Sequence, residues 1–362
     1  MRESLKRFQE TIMSKGLEGV VIASPEDLSS TNLRYLSGFT GSSAYLVVTP
    51  DRAWLLTDFR YLEQAATECP DFEIVKQDKQ VVLSIAEICR NYRIGVLGFE
   101  ADKVPYQMWH DWNGQVPVVW RPLGKLVEEL RLVKNSEEVE IMRKAARVAG
   151  ESLLEVIPSM VGLTEMDVAL SLEMAMRRRG AGSLGFPTIV GSGERGALPH
   201  AHPTPRRIQP GDMVTIDFGA EVNGYRSDET VTVAIGTVSD QMRQIFDIVA
   251  EAQALGIEAA KPGATSHDVD TAVRSFIDRA GYGEAFGHGT GHGVGLDVHE
   301  NPFAFSDPRS AEVLVPGMTL TVEPGIYLPG IGGVRLEDTL VITETGNERL
   351  TMVSKEFRTI EG

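Results

Sequence analysis

Two cysteines, Cys69 and Cys89, are all that 362 residues contain, and they form neither a CxxC nor a CxxCH pattern. A disulfide framework and thiolate redox chemistry therefore have no support, and both thiols are expected to be buried structural groups. No run approaches the roughly 18 consecutive apolar residues of a membrane-crossing helix. The opening stretch MRESLKRFQETIMSKG also has neither the apolar centre nor the small-residue cleavage site of a secretory signal. A cytoplasmic chain with no membrane partner is the expectation. Positive charge is scarce: 51 acidic residues against 35 basic ones leave a net charge of -16, and no Lys/Arg block resembles a phosphate-binding stripe. Nucleic acid and anionic membrane are accordingly poor partners, since both are held by local positive charge. A G-x-S-x-G nucleophile elbow is missing as well.

What is present reads as an ordinary globular composition, 42% apolar and 24% charged, in a chain longer than one hydrophobic core usually sustains. Two domains are expected. Residues 1–125 alternate helical and strand-like pieces, an α/β outline. An amphipathic helix places Leu5, Phe8, Ile12 and Met13 on one side, and a strand follows at 19–23. Ala44 to Val48 and Ala53 to Thr57 form a hairpin around Thr49-Pro50-Asp51, residues 79–90 a further helix, and Ile94 to Gly98 a short strand. The join falls between Gly124 and Ser136, and residues 126–362 make the second domain. It opens with a helix over 137–157 whose early acids suit the positive end of the helix dipole.

The second domain repeats itself. Gly162-Leu163-Thr164, Asp167-Val168 and Gly180 match Gly263-Ala264-Thr265, Asp268-Val269 and Gly281 at an offset of 101 residues. In each copy a glycine turn precedes a helix that Thr164 or Thr265 can cap. Further on, Pro210-Gly211 leads through a strand-like run to Asp217, and Pro316-Gly317 leads through another to Glu323. Two halves folded alike around a pseudo-twofold axis follow, with any site between them drawing ligands from both.

Asp217 and Asp228 bracket Asn223-Gly224, a strong signal for a two-residue hairpin turn. With those residues at the turn, Val222 pairs with Tyr225, Gly219 with Asp228 and Thr230 with Asp217. Asp217 and Asp228 then share a face as diagonal neighbours about 7–8 Å apart at the backbone, near enough for their side chains to converge on one ion. Val214, Ile216 and Phe218 occupy the other face. Two acids gathered at a strand-rich core are costly without a cation.

His288, His292 and His299 lie in a glycine-rich run that has neither the HExxH spacing nor the GxGxxG fingerprint. Its glycines point to close backbone approach and unusual torsions that let imidazoles reach a site from a loop or strand edge. His110 and His267 have no comparable setting, while His200 and His202 could either face a cleft. Glu323 closes the second strand-like run, and Glu337 follows fourteen residues later; the repeat sets Glu323 against Asp217 and Glu337 against Asp228.

Taken together, Ile216-Asp217-Phe218-Gly219, Ser227-Asp228-Glu229-Thr230, His288-Gly-Thr-Gly-His292, His299-Glu300-Asn301-Pro302, Glu323-Pro-Gly-Ile-Tyr327 and Val334-Arg-Leu-Glu337-Asp338 closely resemble the pita-bread family of methionine aminopeptidase, prolidase and aminopeptidase P. The resemblance covers nearly all of residues 125–362 and implies an α+β pita-bread catalytic domain with internal pseudo-twofold duplication. It implies two divalent ions held by Asp217, Asp228, His292, Glu323 and Glu337. Asn32 to Gly41 and Leu56 to Tyr61 resemble the extra N-terminal domain of prolidases and aminopeptidase P, which shifts the expected substrate to short peptides with proline second.

The resemblance further implies that Glu323 relays a proton, that His200 faces the substrate and that His299 stabilises the tetrahedral intermediate. Arg335 and Tyr327 would support the site or touch substrate. The oxygen-rich ligand set suits Mn²⁺, with Co²⁺ or Zn²⁺ as alternatives; the pair of ions would activate water and polarise the scissile carbonyl. An X-Pro dipeptidase is the first expectation, aminopeptidase P acting on X-Pro-Y peptides the alternative, and a non-catalytic peptide-binding protein a distant third. The same family resemblance implies a homodimer.

Overall fold

A computed structural model describes every residue except Met1, Asp27, Ser29, Asp78, Lys79 and Gly362. The chain divides into two compact units, Met1–Arg131 and Leu132–Gly362. The helix Leu126–Arg131 thus belongs to the first unit, beyond the expected division after residue 125. No helix among the described residues is long and apolar enough to cross a membrane.

The first unit is built on six strands in the spatial order Glu73–Lys76, Ala53–Thr57, Ala44–Val48, Gly19–Ser24, Val96–Glu100 and Val119–Leu123. The 44–48 and 53–57 strands form the expected hairpin, with Val48 opposite Ala53. Gly19–Ser24 runs antiparallel to the hairpin on one side and parallel to Val96–Glu100 on the other. All six of its residues are buried, as a central strand covered on both faces requires. The first helix, Glu3–Ser14, buries Leu5, Phe8 and Ile12, but Met13 is 65% exposed and Gln9 takes its place. Gln9 is tied there by its amide, which donates to the Thr49 carbonyl at 3.1 Å. The helix expected over 79–90 runs from Val81 to Tyr92 and ends where Arg93 adopts a left-handed conformation; Lys79 lies outside the described residues. Cys69 and Cys89 are buried and unpaired, and burial pushes both thiols up to about 11.

Among the described residues the second unit carries two large hydrophobic cores, besides a small cluster of Met142, Val294, Val341 and Leu350. Helices Ser136–Val156 and Glu165–Arg178 pack on strands Met213–Phe218 and Glu229–Ile235 around one core. Helices Asp240–Ala259 and Ser266–Arg279 pack on strands Thr319–Val322 and Asp338–Ile342 around the other. The repeat is visible at the level of single hydrogen bonds. Thr164 caps its helix through a reciprocal box with Asp167, and Thr265 does the same with Asp268. Gly162 N–H donates to Ile208 O and Gly263 N–H to Leu314 O, both at 2.9 Å. Gly211 and Gly317 hold φ of 96° and 89° at matching turns, which any side chain would strain.

The Asn223-Gly224 turn sets the register as expected, with Val222 opposite Tyr225 and Thr230 opposite Asp217. The two parts of the hairpin nonetheless lie in different sheets, so the ladder bends between Phe218 and Ala220. The halves meet along Glu229–Ile235 and Asp338–Ile342: Glu337 N–H donates to Thr230 O at 3.0 Å, and the Thr339 hydroxyl donates to Asp228 O at 2.7 Å.

Candidate metal centre

Asp217 is the penultimate residue of Met213–Phe218 and Asp228 immediately precedes Glu229–Ile235, while Glu323 immediately follows Thr319–Val322 and Glu337 immediately precedes Asp338–Ile342. His292 sits in the middle of the short strand Gly291–Gly293. Its neighbours are glycines because the backbone has no room: a Cβ on Gly291 would meet the Thr321 carbonyl, and one on Gly293 the Asn301 carbonyl. None of the glycines between 287 and 295 has positive φ, so close approach rather than unusual torsion is the role of Gly289, Gly291, Gly293 and Gly295, while a Cβ on Gly287 would meet nothing.

All five side chains line one cavity of about 710 Å³ within the second unit. Ligating atoms of Asp228, His292 and Glu337 lie within 4.8 Å of one another. Glu323 stands beside them, its Oε1 3.3 Å from His292 Nε2, and Asp228 Oδ2 is 3.7 Å from the same nitrogen. Asp217 is drawn to Arg335, whose guanidinium donates to its Oδ2 at 2.6 Å.

Electrostatics show what the cluster requires. Burial, then repulsion from neighbouring carboxylates (Glu337 first for Asp228, Glu323 first for Glu337), holds the Asp228 and Glu337 carboxyls well above the usual carboxylate range. Burial also raises Asp217 in spite of Arg335. Glu323 goes the other way: burial opposes its ionisation, but its hydrogen bond and attraction to His292, with His288 and Arg335 behind, outweigh it. Asp217 Oδ1 is buried and accepts no hydrogen bond. Four carboxylates and one imidazole lining one cavity, with one carboxylate oxygen orphaned, fit divalent cations, which compensate buried negative charge where solvent cannot.

Around this set, His200, His202, His288 and His299 line the cavity. The His299 and His292 rings are 4.4 Å apart, edge to face, and partial burial together with His292 lowers the His299 pKa. His288 is not among the clustered ligands; its Nε2 is 2.8 Å from the Tyr327 hydroxyl. Arg335 is more than a general support. Besides Asp217 it donates to Tyr327 Oη and Pro199 O, each at 3.0 Å, and to Thr230 Oγ1 at 3.3 Å, linking both halves to the segment that carries His200.

Glu165 was not singled out from the sequence. It is fully buried and anchors both ends of the stretch from Ser192 to Thr204: its Oε1 accepts from Ser192 N–H at 2.9 Å, and its Oε2 from Thr204 N–H at 3.0 Å. Arg195 completes the clamp at 3.0 Å. The partners lie 27 to 39 residues downstream, so no local pattern announces them.

The sequence matches metallopeptidase family M24 over residues 140–344 and the creatinase/prolidase N-terminal domain over residues 4–133. The Xaa-Pro dipeptidase of Pyrococcus furiosus is 37% identical over 362 residues, covering 99% of this chain and all of its own length. The structure of an Xaa-Pro dipeptidase from Bacillus anthracis is similar at a TM-score of 0.94, with 39% identity and 99% of each chain covered. That of an X-Pro aminopeptidase from Thermotoga maritima gives 0.92, at 34% identity, over 98% of this chain and all of the other.

Proposed function

The chain belongs to metallopeptidase family M24, and on that premise we propose that it hydrolyses the X-Pro bond of short peptides. Two divalent ions, Mn²⁺ before Co²⁺ or Zn²⁺, would be held by Asp217, Asp228, His292, Glu323 and Glu337. The observation that carries this reading is the convergence of those five side chains in one cavity whose wall includes Phe186, Pro187, Ile189 and Phe303. An X-Pro amide has no N–H to satisfy and a rigid apolar ring to bury, which such a wall suits.

Bound there, divalent ions would supply Lewis-acid polarisation and make water more acidic. Glu323 would hold a proton on its carboxylate and pass it to the departing proline nitrogen. His299, beside His292, and His200, on the stretch clamped by Glu165, supply donors for the developing oxyanion and the leaving group. Arg335 holds Asp217 in place. We assign the working form to a cytoplasmic homodimer, which sedimentation of the purified protein and fractionation of its host test.

Substrate length has two readings. Dipeptides agree with the names of the Pyrococcus and Bacillus relatives. One feature of the cavity favours longer X-Pro-Y peptides: among its described lining residues Arg335 is the only Lys or Arg, and all its donating nitrogens are engaged. The carboxylate of a dipeptide sits one residue from the scissile bond and needs a counter-charge there. Release of the N-terminal residue from X-Pro and X-Pro-Y peptides should be compared after chelation and after restoring Mn²⁺. Turnover undiminished by complete metal removal refutes the proposed chemistry, and failure to cleave either peptide with metal restored refutes the bond assignment.

A further inference from the structure

We infer that Lys355, which follows the last ligand in the chain, is a positioning residue that sets the distance between Asp228 and Glu337 from behind; the inference rests on the metal centre proposed above. The residues immediately following those two ligands are also acids, Glu229 and Asp338. Side chains alternate along a strand, so acids next to inward-facing ligands turn to the opposite face. Both are fully buried there.

The Lys355 ammonium lies 2.5 Å from Glu229 Oε1 and 3.3 Å from Asp338 Oδ1, with its side chain only 7% exposed. Its third donor goes to the Val353 carbonyl at 3.0 Å, and Val353 N–H in turn donates to Glu229 Oε1 at the same distance. The remaining partners of Asp338 are the Thr351 hydroxyl at 2.6 Å, the Gln253 amide at 3.2 Å and, at the exposed edge, the Arg349 guanidinium, whose Nε lies 3.7 Å from Oδ2.

One cation therefore joins Glu229–Ile235 of the first half to Asp338–Ile342 of the second at the residues adjoining the ligands. Without it, two buried carboxylates would repel across the seam between the halves, and the seam would open where Asp228 and Glu337 must meet on shared ions. The arrangement supports the ligands through the backbone without touching them. Groups in the layer behind metal ligands typically change metal affinity by about tenfold to a hundredfold when removed.

The test is calorimetric titration of Mn²⁺ into the metal-free full-length chain, with circular dichroism confirming the fold. Lys355→Met should weaken Mn²⁺ binding by about tenfold or more, and Lys355→Arg, which keeps the charge, should recover most of it. The double variant E229Q/K355M removes both members of the closer pair, so it leaves no lone charge at Glu229 and reports should the single variant fail to fold; it too should bind Mn²⁺ about tenfold more weakly. A purely structural role would lower stability and leave the affinity of the folded protein unchanged. Wild-type affinity in a folded Lys355→Met or E229Q/K355M chain overturns the inference. Absence of Mn²⁺ binding by the unaltered chain would instead refute the metal centre.

Discussion

Replacing Glu100 with Gln should make the protein less sensitive to pH between about 4.5 and 7. Glu100 ends the strand Val96–Glu100 in the first unit and is only 2% exposed. Asn32 Nδ2 donates to its Oε1 at 2.5 Å and to Glu128 Oε1 at 2.9 Å, while Glu100 Oε2 accepts nothing. Arg131 fixes the amide by donating to Asn32 Oδ1 at 2.6 Å. Of the two acids, Glu128 has Lys103 at 2.9 Å to keep it ionised against its own burial. Burial therefore falls hardest on Glu100 and pushes its carboxyl up to about 7, from 4.5 when solvated. A carboxyl raised on folding contributes stability fully below pH 4.5, and that contribution is lost as pH rises through about 7. The whole difference is on the order of 3 kcal/mol, an upper bound because the interior relaxes around the charge. Glutamine can keep the Asn32 hydrogen bond and cannot ionise. Urea denaturation at intervals from pH 4.5 to 8.5 should show the variant gaining on the wild type as pH rises. Parallel curves would refute the assignment of a protonated Glu100.

Three further perturbations bear on the site and the repeat. Glu323→Gln should lower peptidase turnover by about 10²- to 10⁴-fold, the usual range for a general acid–base group; near-normal turnover in a fully metallated variant contradicts the proton relay. Glu165→Gln should lower kcat without altering Mn²⁺ affinity, because it holds the His200 segment and touches no ligand, so matched losses in both quantities count against a clamp. Thr164→Ala and Thr265→Ala should each cost about 1 kcal/mol in denaturation, with nearly equal values because the two caps share one geometry.

What could be read from the sequence was whatever a local rule determines. Asn-Gly imposes a two-residue turn, and the turn carries the register outward to Thr230 and Asp217. Early acids announced the helix expected over 137–157, and the structure starts it at Ser136 behind a capping box of Asn135 and Glu138. The repeated glycines mark turns that only a residue tolerant of positive φ can make. Pairings made by tertiary approach left no such trace. Arg335 and Asp217 are 118 residues apart, and Lys355 and Glu229 are 126 apart. Met13 follows the apolar spacing of its helix, yet the position facing the unit went to Gln9, whose amide can answer a carbonyl on the adjacent hairpin.

The two halves share a fold but contribute unequally to the centre, and the difference lies in register. In the first half Thr230 stands opposite Asp217, so Asp228 reaches the site diagonally. In the second, Val322 stands opposite Asp338, and one further step along that register brings Glu323 against Glu337. Glutamates are a methylene longer than aspartates, and the longer pair lies on the half that also supplies His292. Asp217 is answered across the seam by Arg335, a second-half residue, while Glu323 has His292 from its own half. A duplicated scaffold thus places four acids by symmetry, and the partners that distinguish their protonation arise from departures from it. That inequality leaves Glu323 the carboxylate held low while Asp228 and Glu337 are held high.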